Sequence, residues 1–178
     1  MHKIVFSEKL SEYKKLVIKQ NDMINWMCES EISDLLVDRF VEIIIQCNKF
    51  RNYIKKPRYN LITENKYNKG GGEIDIALVG IENLVFFEVK KRKEKIQNIV
   101  RDIPLYYKSL RTNNIYKYFR IADKNVIYII VTNGIDFWFY PNVKVTGGKT
   151  NDAILKYNIF NATSEDETSL YLLLNTVF

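Results

Sequence analysis

Apolar residues recur at helical spacing in the first part of the chain. From Ser7 to Lys19, Leu10, Tyr13, Leu16 and Val17 mark one side of a mixed helix. From Glu31 to Asn48 the pattern is clearer: Ile32, Leu35, Leu36, Phe40, Ile43, Ile44 and Cys47 follow the i, i+3, i+4 rule. Ser30 is a candidate N-cap, and Glu29 and Glu31 put negative charge where the helix dipole favours it. The period then shortens to two. Tyr59 to Thr63 reads as a strand. Ile74, Ile76 and Leu78 alternate with Glu73, Asp75 and Ala77, and Val85, Phe87 and Val89 alternate with Phe86, Glu88 and Lys90. Gly80-Ile81-Glu82-Asn83 joins these two runs with turn-compatible residues. A hairpin folded about Ile81-Glu82 puts Asp75 opposite Glu88, so two carboxylates and Lys90 converge on one face.

Glu94 to Thr112 is helix-like but contains Pro104, which a helix tolerates only in its first turn. Either two short helices meet near Arg101, or Asp102 caps a helix from Ile103 to Arg111. Val126 to Thr132 is a continuous apolar run, the pattern of a buried central strand. Asn133-Gly134 makes a turn, Ile135 to Tyr140 is the partner strand, and Pro141 ends it. Ile154 to Phe160 is a further strand. Ser164-x-x-Glu167 reads as a capping box that opens a last helix through Leu170, Leu173 and Leu174. The order predicts an α/β fold with a mixed central sheet flanked by helices.

The length, 178 residues, suits a single domain over 1–178, with a core at about 29–178 and an N-terminal helical extension at 1–28. No apolar run approaches the ~18 residues of a membrane span, so no membrane partner is expected. The opening MHKIVFSEKL carries an early Glu and no long apolar stretch, so neither a secretory nor a transit peptide is expected. Cys28 and Cys47 have no spacing pattern and read as reduced, structural residues of an intracellular, cytoplasmic protein, or a nuclear one in a eukaryote. His2 is the only histidine, which excludes His-based zinc sites, Ser-His triads and Cys-His pairs built on an internal His.

The net charge is +6, and the excess is local: Val85 to Arg120 holds ten basic residues against three acidic ones. Such a stripe can be a plain solvated face. Beside a carboxylate cluster it suits a polyanionic substrate. Lys91, Arg92, Lys93 and Tyr106 are the candidate nucleic-acid contacts. Two glycine-rich stretches do not make nucleotide sites. Gly70-Gly71-Gly72 leads into a strand, whereas a phosphate-cradling loop needs a helix N-terminus behind it. Gly147-Gly148-Lys149-Thr150 has Val143 where a P-loop has its first glycine. No nucleotide cofactor is expected.

Phosphodiester hydrolysis needs charge neutralisation at the phosphate and a nucleophile near neutral pH, and a carboxylate-held Mg²⁺ supplies both. Asp75, Glu88 and the carbonyl of Val89 are a suitable ligand set, and Lys90 can orient water or stabilise developing charge. An exposed Glu88–Lys90 ion pair would be worth only ~0–1 kcal/mol and would need no purpose. The surrounding LVFFEV is too apolar for an edge strand, which favours a functional pair. Glu31 is open to two readings: capping electrostatics, or a third acid aimed at the same site.

Asp75 followed thirteen residues later by Glu88-Val89-Lys90 resembles the D-(x)n-(D/E)-x-K signature of the PD-(D/E)xK nuclease superfamily. More narrowly, the chain is similar to the N-terminal nuclease domain of type I restriction endonuclease motor subunits, over about Glu29 to Phe178. Ser30-Glu31-Ile32-Ser33-Asp34 resembles that family's "SEAD"-like helix start, and Val131-Thr132-Asn133-Gly134 its buried strand and turn. The resemblance implies a restriction-endonuclease-like core and DNA cleavage dependent on Mg²⁺, with Mn²⁺ able to substitute. It assigns Asp75 and Glu88 as metal ligands, Lys90 as the catalytic lysine and Glu31 as the helix acid. Small nucleases of this superfamily often pair to cut both strands, so it also admits a homodimer. RNA or branched DNA stays open as substrate. Asp102-Ile103-Pro104-Leu105-Tyr106 departs from the family's Gln-x-x-x-Tyr motif, with Asp in place of Gln. That departure keeps open a non-cleaving protein of the same fold that binds nucleic acid or a partner.

Overall fold

A computed structural model describes residues 3–47, 52–55, 75–80, 83–92, 126–140 and 153–176. Helix α1 (Lys3–Ile24) comes first. A second helical segment runs through α2 (Glu29–Ile32), a π-helical turn (Ser33–Val37) and α3 (Asp38–Cys47). The strands are β1 (Asn52–Lys55), β2 (Ile76–Val79), β3 (Asn83–Val89), β4 (Val126–Thr132), β5 (Asp136–Tyr140) and β6 (Leu155–Asn158), and α4 (Ser164–Thr176) follows. The result is an α/β arrangement: one mixed sheet, with strands side by side in chain order, packed against helices. β1–β2–β3 and β4–β5–β6 pair antiparallel, and only the β2–β3 and β4–β5 connections are as short as a hairpin turn. The β3–β4 pair is parallel, which requires a crossover of a dozen or more residues, and the chain between Val89 and Val126 is long enough to supply one.

Strand alternation divides the sheet as the sequence predicts. Ile76, Leu78, Val85, Phe87, Val89, Ile130, Phe137 and Phe139 join the core shared with the helices. Phe40 stacks on Phe137 at 4.1 Å between ring centroids, and Tyr13 lies 5.5 Å from Phe40. Each aromatic ring buried this way contributes about 1.5–3 kcal/mol. The opposite face is also buried at Ala77, Leu84, Phe86, Ile129 and Val131. β3 has neighbours on both sides, so the expectation that LVFFEV is no edge strand holds.

Several expectations are corrected. α1 is longer than Ser7 to Lys19, and it is no extension: Phe6, Leu10, Tyr13, Val17 and Ile24 are buried in the common core. The second helical segment starts at Glu29, and its N-cap is Cys28 rather than Ser30. The π turn alters the helical phase, so Val37 and Val41 point inward while Leu35 is 49% exposed. The last helix is capped one residue earlier than Ser164 and Glu167. Thr163 Oγ1 accepts from the Asp166 N–H (3.2 Å), and Asp166 Oδ2 accepts from the Thr163 N–H (2.7 Å). The strand at Tyr59 to Thr63, the helix at Glu94 to Thr112 and both glycine-rich stretches lie outside the described residues. Among the described residues, no helix is long and apolar enough to cross a membrane.

The Asn133-Gly134 turn joins the layers. Gly134 has φ +82°, and its carbonyl accepts a 2.8 Å hydrogen bond from the Tyr13 hydroxyl. A Cβ at this position would sit 2.8 Å from Leu36 Cδ1 and 3.2 Å from Ile32 Cγ2. Gly134→Ala therefore combines a left-handed backbone penalty with a clash against the π turn. It should lower unfolding free energy by about 2–4 kcal/mol, read as a lower urea midpoint.

Candidate active site

The β2–β3 register decides which side chains meet. Ile76 pairs with Phe87 and Ala77 with Phe86, the register of a hairpin folded about Ile81-Glu82. Continued one step, it sets Asp75 against Glu88. Asp75 lies just before β2, and its Oδ2 accepts a hydrogen bond from the Val89 N–H at 2.7 Å. The N–H and C=O of one strand residue point the same way, so the Val89 carbonyl also faces the Asp75 side. Glu88 is 7% exposed on the face opposite the core. Lys90 follows on that face, and its Nζ lies 2.6 Å from Glu88 Oε1. The Lys90 N–H donates to the Thr132 carbonyl at 2.8 Å, which ties the end of β3 to the Thr132-Asn133-Gly134 turn. Within that turn, Thr132 Oγ1 accepts from the Gly134 N–H at 2.9 Å, and Asn133 Oδ1 accepts from the Ile135 and Asp136 N–H groups at 3.0 and 2.8 Å. The resulting rigid turn fixes where Lys90 leaves the sheet.

The electrostatics are uneven. Burial pushes the Asp75 carboxyl up to about 6; the Val89 hydrogen bond pulls it down, Glu88 raises it, Lys90 lowers it and Glu29 raises it. Burial pulls the Lys90 ammonium down, but the charge and hydrogen bond of Glu88, together with Glu29 and Asp75, outweigh that and leave it above its ordinary value. Lys90 is therefore a firm cation at neutral pH.

The helix acid is where the sequence reading needs correction. Glu31 is exposed, and its Oε2 accepts from the Cys28 N–H at 2.7 Å, a bond that holds its carboxyl below the ordinary range. Its observed use is the cap. The acid whose charge reaches both Asp75 and Lys90 is Glu29, half-buried at the start of α2 where that helix packs on β3. The sequence obscured this because cysteine is not a favoured N-cap, so the helix start was set too late. Glu29→Gln should lower any activity of the site about tenfold or more, whereas Glu31→Gln, which keeps a capping-box acceptor, should leave it within about twofold. Initial rates of the two variants decide this.

The basic contacts divide as well. Lys91 is exposed beside the site. Arg92 is committed to α1: its Nη1 donates to Asn21 Oδ1 at 2.9 Å and to the Asn21 carbonyl at 3.2 Å. It anchors the chain leaving β3 rather than standing free for a phosphate. Lys93, Asp102 and Tyr106 lie outside the described residues. Among the described residues, no three His, Cys, Asp or Glu side chains converge closely enough to hold a metal by themselves. The chain matches no protein-family model, no curated protein and no solved structure at a significant level.

Proposed function

We propose that this chain is a metal-dependent nuclease that hydrolyses DNA phosphodiester bonds on a restriction-endonuclease-like core. One observation carries the reading: the β2–β3 register brings Asp75 against Glu88, with Lys90 ion-paired to Glu88 on the same face. The mixed sheet flanked by helices supplies a compatible frame, and the resemblance of Asp75 and Glu88-Val89-Lys90 to the PD-(D/E)xK signature supplies the chemistry.

The donors fit a hard divalent cation. They are all oxygens: the Asp75 and Glu88 carboxylates and the Val89 carbonyl. Magnesium is content with one or two carboxylates and retained waters, so a third clustered acid is not required. A carboxyl held up at about 6 by burial is also one that a bound cation would relieve. When bound, magnesium supplies neutralising charge at the phosphate and acidifies water, and manganese can take its place. Lys90, protonated at neutral pH, acts as a donor: it orients water or steadies the charge that develops on the phosphate, and it does not serve as the base. Glu29 takes the helix-acid role that the resemblance assigned to Glu31.

Asp75 must lose its proton to hold a cation, so apparent affinity for Mg²⁺ should weaken as pH falls through about 6. Cleavage at limiting Mg²⁺ should drop roughly tenfold per pH unit below that point, and excess metal should restore part of it. Initial rates between pH 5 and 8 at two metal concentrations measure this.

The Asp102 departure from the Gln-x-x-x-Tyr pattern favours a second reading, a nuclease-fold protein that binds nucleic acid or a partner without cutting. Supercoiled plasmid with purified protein separates the two. Nicking that requires Mg²⁺ or Mn²⁺ and stops with EDTA supports the nuclease. Retention of the plasmid in a gel shift without nicking, in either metal, supports the binder.

A further inference from the structure

The sheet face that carries Glu88 continues across the neighbouring strands. Glu88 pairs with Val131, Val131 with Trp138, and Trp138 with Lys156. Directly paired residues share a face. Glu88, Trp138 and Lys156 therefore stand in one transverse row at one level of the sheet, with the buried Val131 between the first two. Alternation in β5 explains the setting of the tryptophan. Phe137 and Phe139 are fully buried in the core, and Trp138 points the other way and is only half-buried. Lys156 is exposed, and its Nζ lies 4.4 Å from the centre of the Trp138 ring.

We infer that Trp138 and Lys156 form a stacking platform for an unpaired nucleotide of single-stranded DNA that leaves the carboxylate site; this rests on the proposed nuclease reading. Two strand spacings separate Glu88 from Trp138, about 10 Å. That distance is spanned by only a few nucleotides of single strand. The chemistry matches on both counts. A base offers a π-face to the indole, and its phosphate offers an anion to the ammonium. A lysine over an exposed indole is a weaker contact than a stacked base. A base can therefore displace Lys156 from the ring, and the freed ammonium then lies within a side chain's reach of the adjoining phosphate. A duplex keeps its bases stacked on each other and cannot use the platform, so the site selects unpaired strand.

The test uses binding without cleavage. Trp26 is the other of two tryptophans, so in Trp26→Phe protein the only indole is Trp138. A fluorescein-labelled oligodeoxythymidine is titrated in EDTA, with indole fluorescence and anisotropy read together. Quenching of Trp138 on binding is expected. Trp138→Leu should weaken binding about tenfold (~1.4 kcal/mol), and Trp138→Phe should recover most of it. Lys156→Ala, a change at an exposed side chain that leaves the fold intact, should reduce the slope of log K against log salt by about 0.7. Binding of the matching duplex should be unchanged by Trp138→Leu. The platform is overturned if Trp138 is not quenched, if both Trp138→Leu and Lys156→Ala bind as wild type, or if duplex binding falls equally. Tighter binding and stronger quenching by oligouridine would overturn the assignment to DNA. The two readings fail separately. Wild type that nicks plasmid while Trp138→Leu binds normally sinks the platform alone, and quenching by protein that never cuts sinks the nuclease alone.

Discussion

Asp75→Asn will unfold at a higher temperature than wild type in magnesium-free buffer at pH 7.5, and it will not cut DNA. The stability half follows from linkage. Burial raises the folded-state carboxyl to about 6, above an ordinary value of 3.8. The folded protein therefore holds the proton more tightly than the unfolded chain. That contribution is fully present below about pH 4 and is lost as pH rises through about 6. At pH 7.5 the ionised form lowers stability by about 2–3 kcal/mol, at 1.36 kcal/mol per pH unit. Asparagine removes the charge and keeps an oxygen for the Val89 N–H, so the hydrogen bond survives. The gain corresponds to roughly 4–12 °C in midpoint for a chain of 178 residues. It should vanish at pH 4, where wild-type Asp75 is largely protonated. The activity half follows because the amide has no charge to hold a cation. A loss of about 10³-fold or more in plasmid nicking is expected, and a stabilised but inactive variant marks a site strained for function.

Lys90→Ala will be inactive and less stable, the opposite stability sign for a residue in the same site. The Lys90 ammonium lies 2.6 Å from Glu88 Oε1, and Glu88 is almost wholly buried. Removing the lysine takes its counter-charge away from a buried carboxylate, which costs about 3 kcal/mol, against little for exposed pairs. The Lys90 ammonium is held above its ordinary value, so the pairing is in force below about pH 10 and is lost only as pH climbs through the raised folded value. On the proposed hydrolytic reading, loss of this charged donor should lower nicking by about 10²–10³-fold. Adding Glu88→Gln to Lys90→Ala should restore most of the stability and none of the activity. Urea unfolding of the single and double variants, beside their nicking rates, checks both parts.

The sequence carried the sheet more fully than the helices. Period-two alternation in Ile74 to Leu78 and Val85 to Lys90 was enough to predict the hairpin register, because a slip of one residue would have put Glu88 in the core and Phe87 outside. The apolar run Val126 to Thr132 predicted β4 with its observed ends. What stayed hidden depended on local departures from rule. The cap is a cysteine, so the sequence does not show that Glu31 is used in the cap while the charge felt at Asp75 and Lys90 is that of Glu29. The π turn has no sequence signature, so Leu35 was assigned to the core it avoids. Arg92 looked like one cation in a stripe, and only tertiary contact shows it bound to Asn21. The Trp138–Lys156 pair was invisible because its residues belong to separate strands, and pairing across β5 and β6 cannot be read from either strand alone.

The most direct test is a magnesium titration of wild type and Asp75→Asn at pH 7.5, with unfolding midpoint and plasmid nicking read from the same samples. Metal that binds the folded site raises stability by about 1.4 kcal/mol for each tenfold of concentration above its Kd. The wild-type midpoint should climb with Mg²⁺ while nicking appears over the same range, and Asp75→Asn should start higher, stay flat and not nick. A wild-type midpoint indifferent to Mg²⁺ and Mn²⁺, with no nicking at any concentration, would contradict a metal-dependent hydrolytic site at Asp75, Glu88 and Lys90.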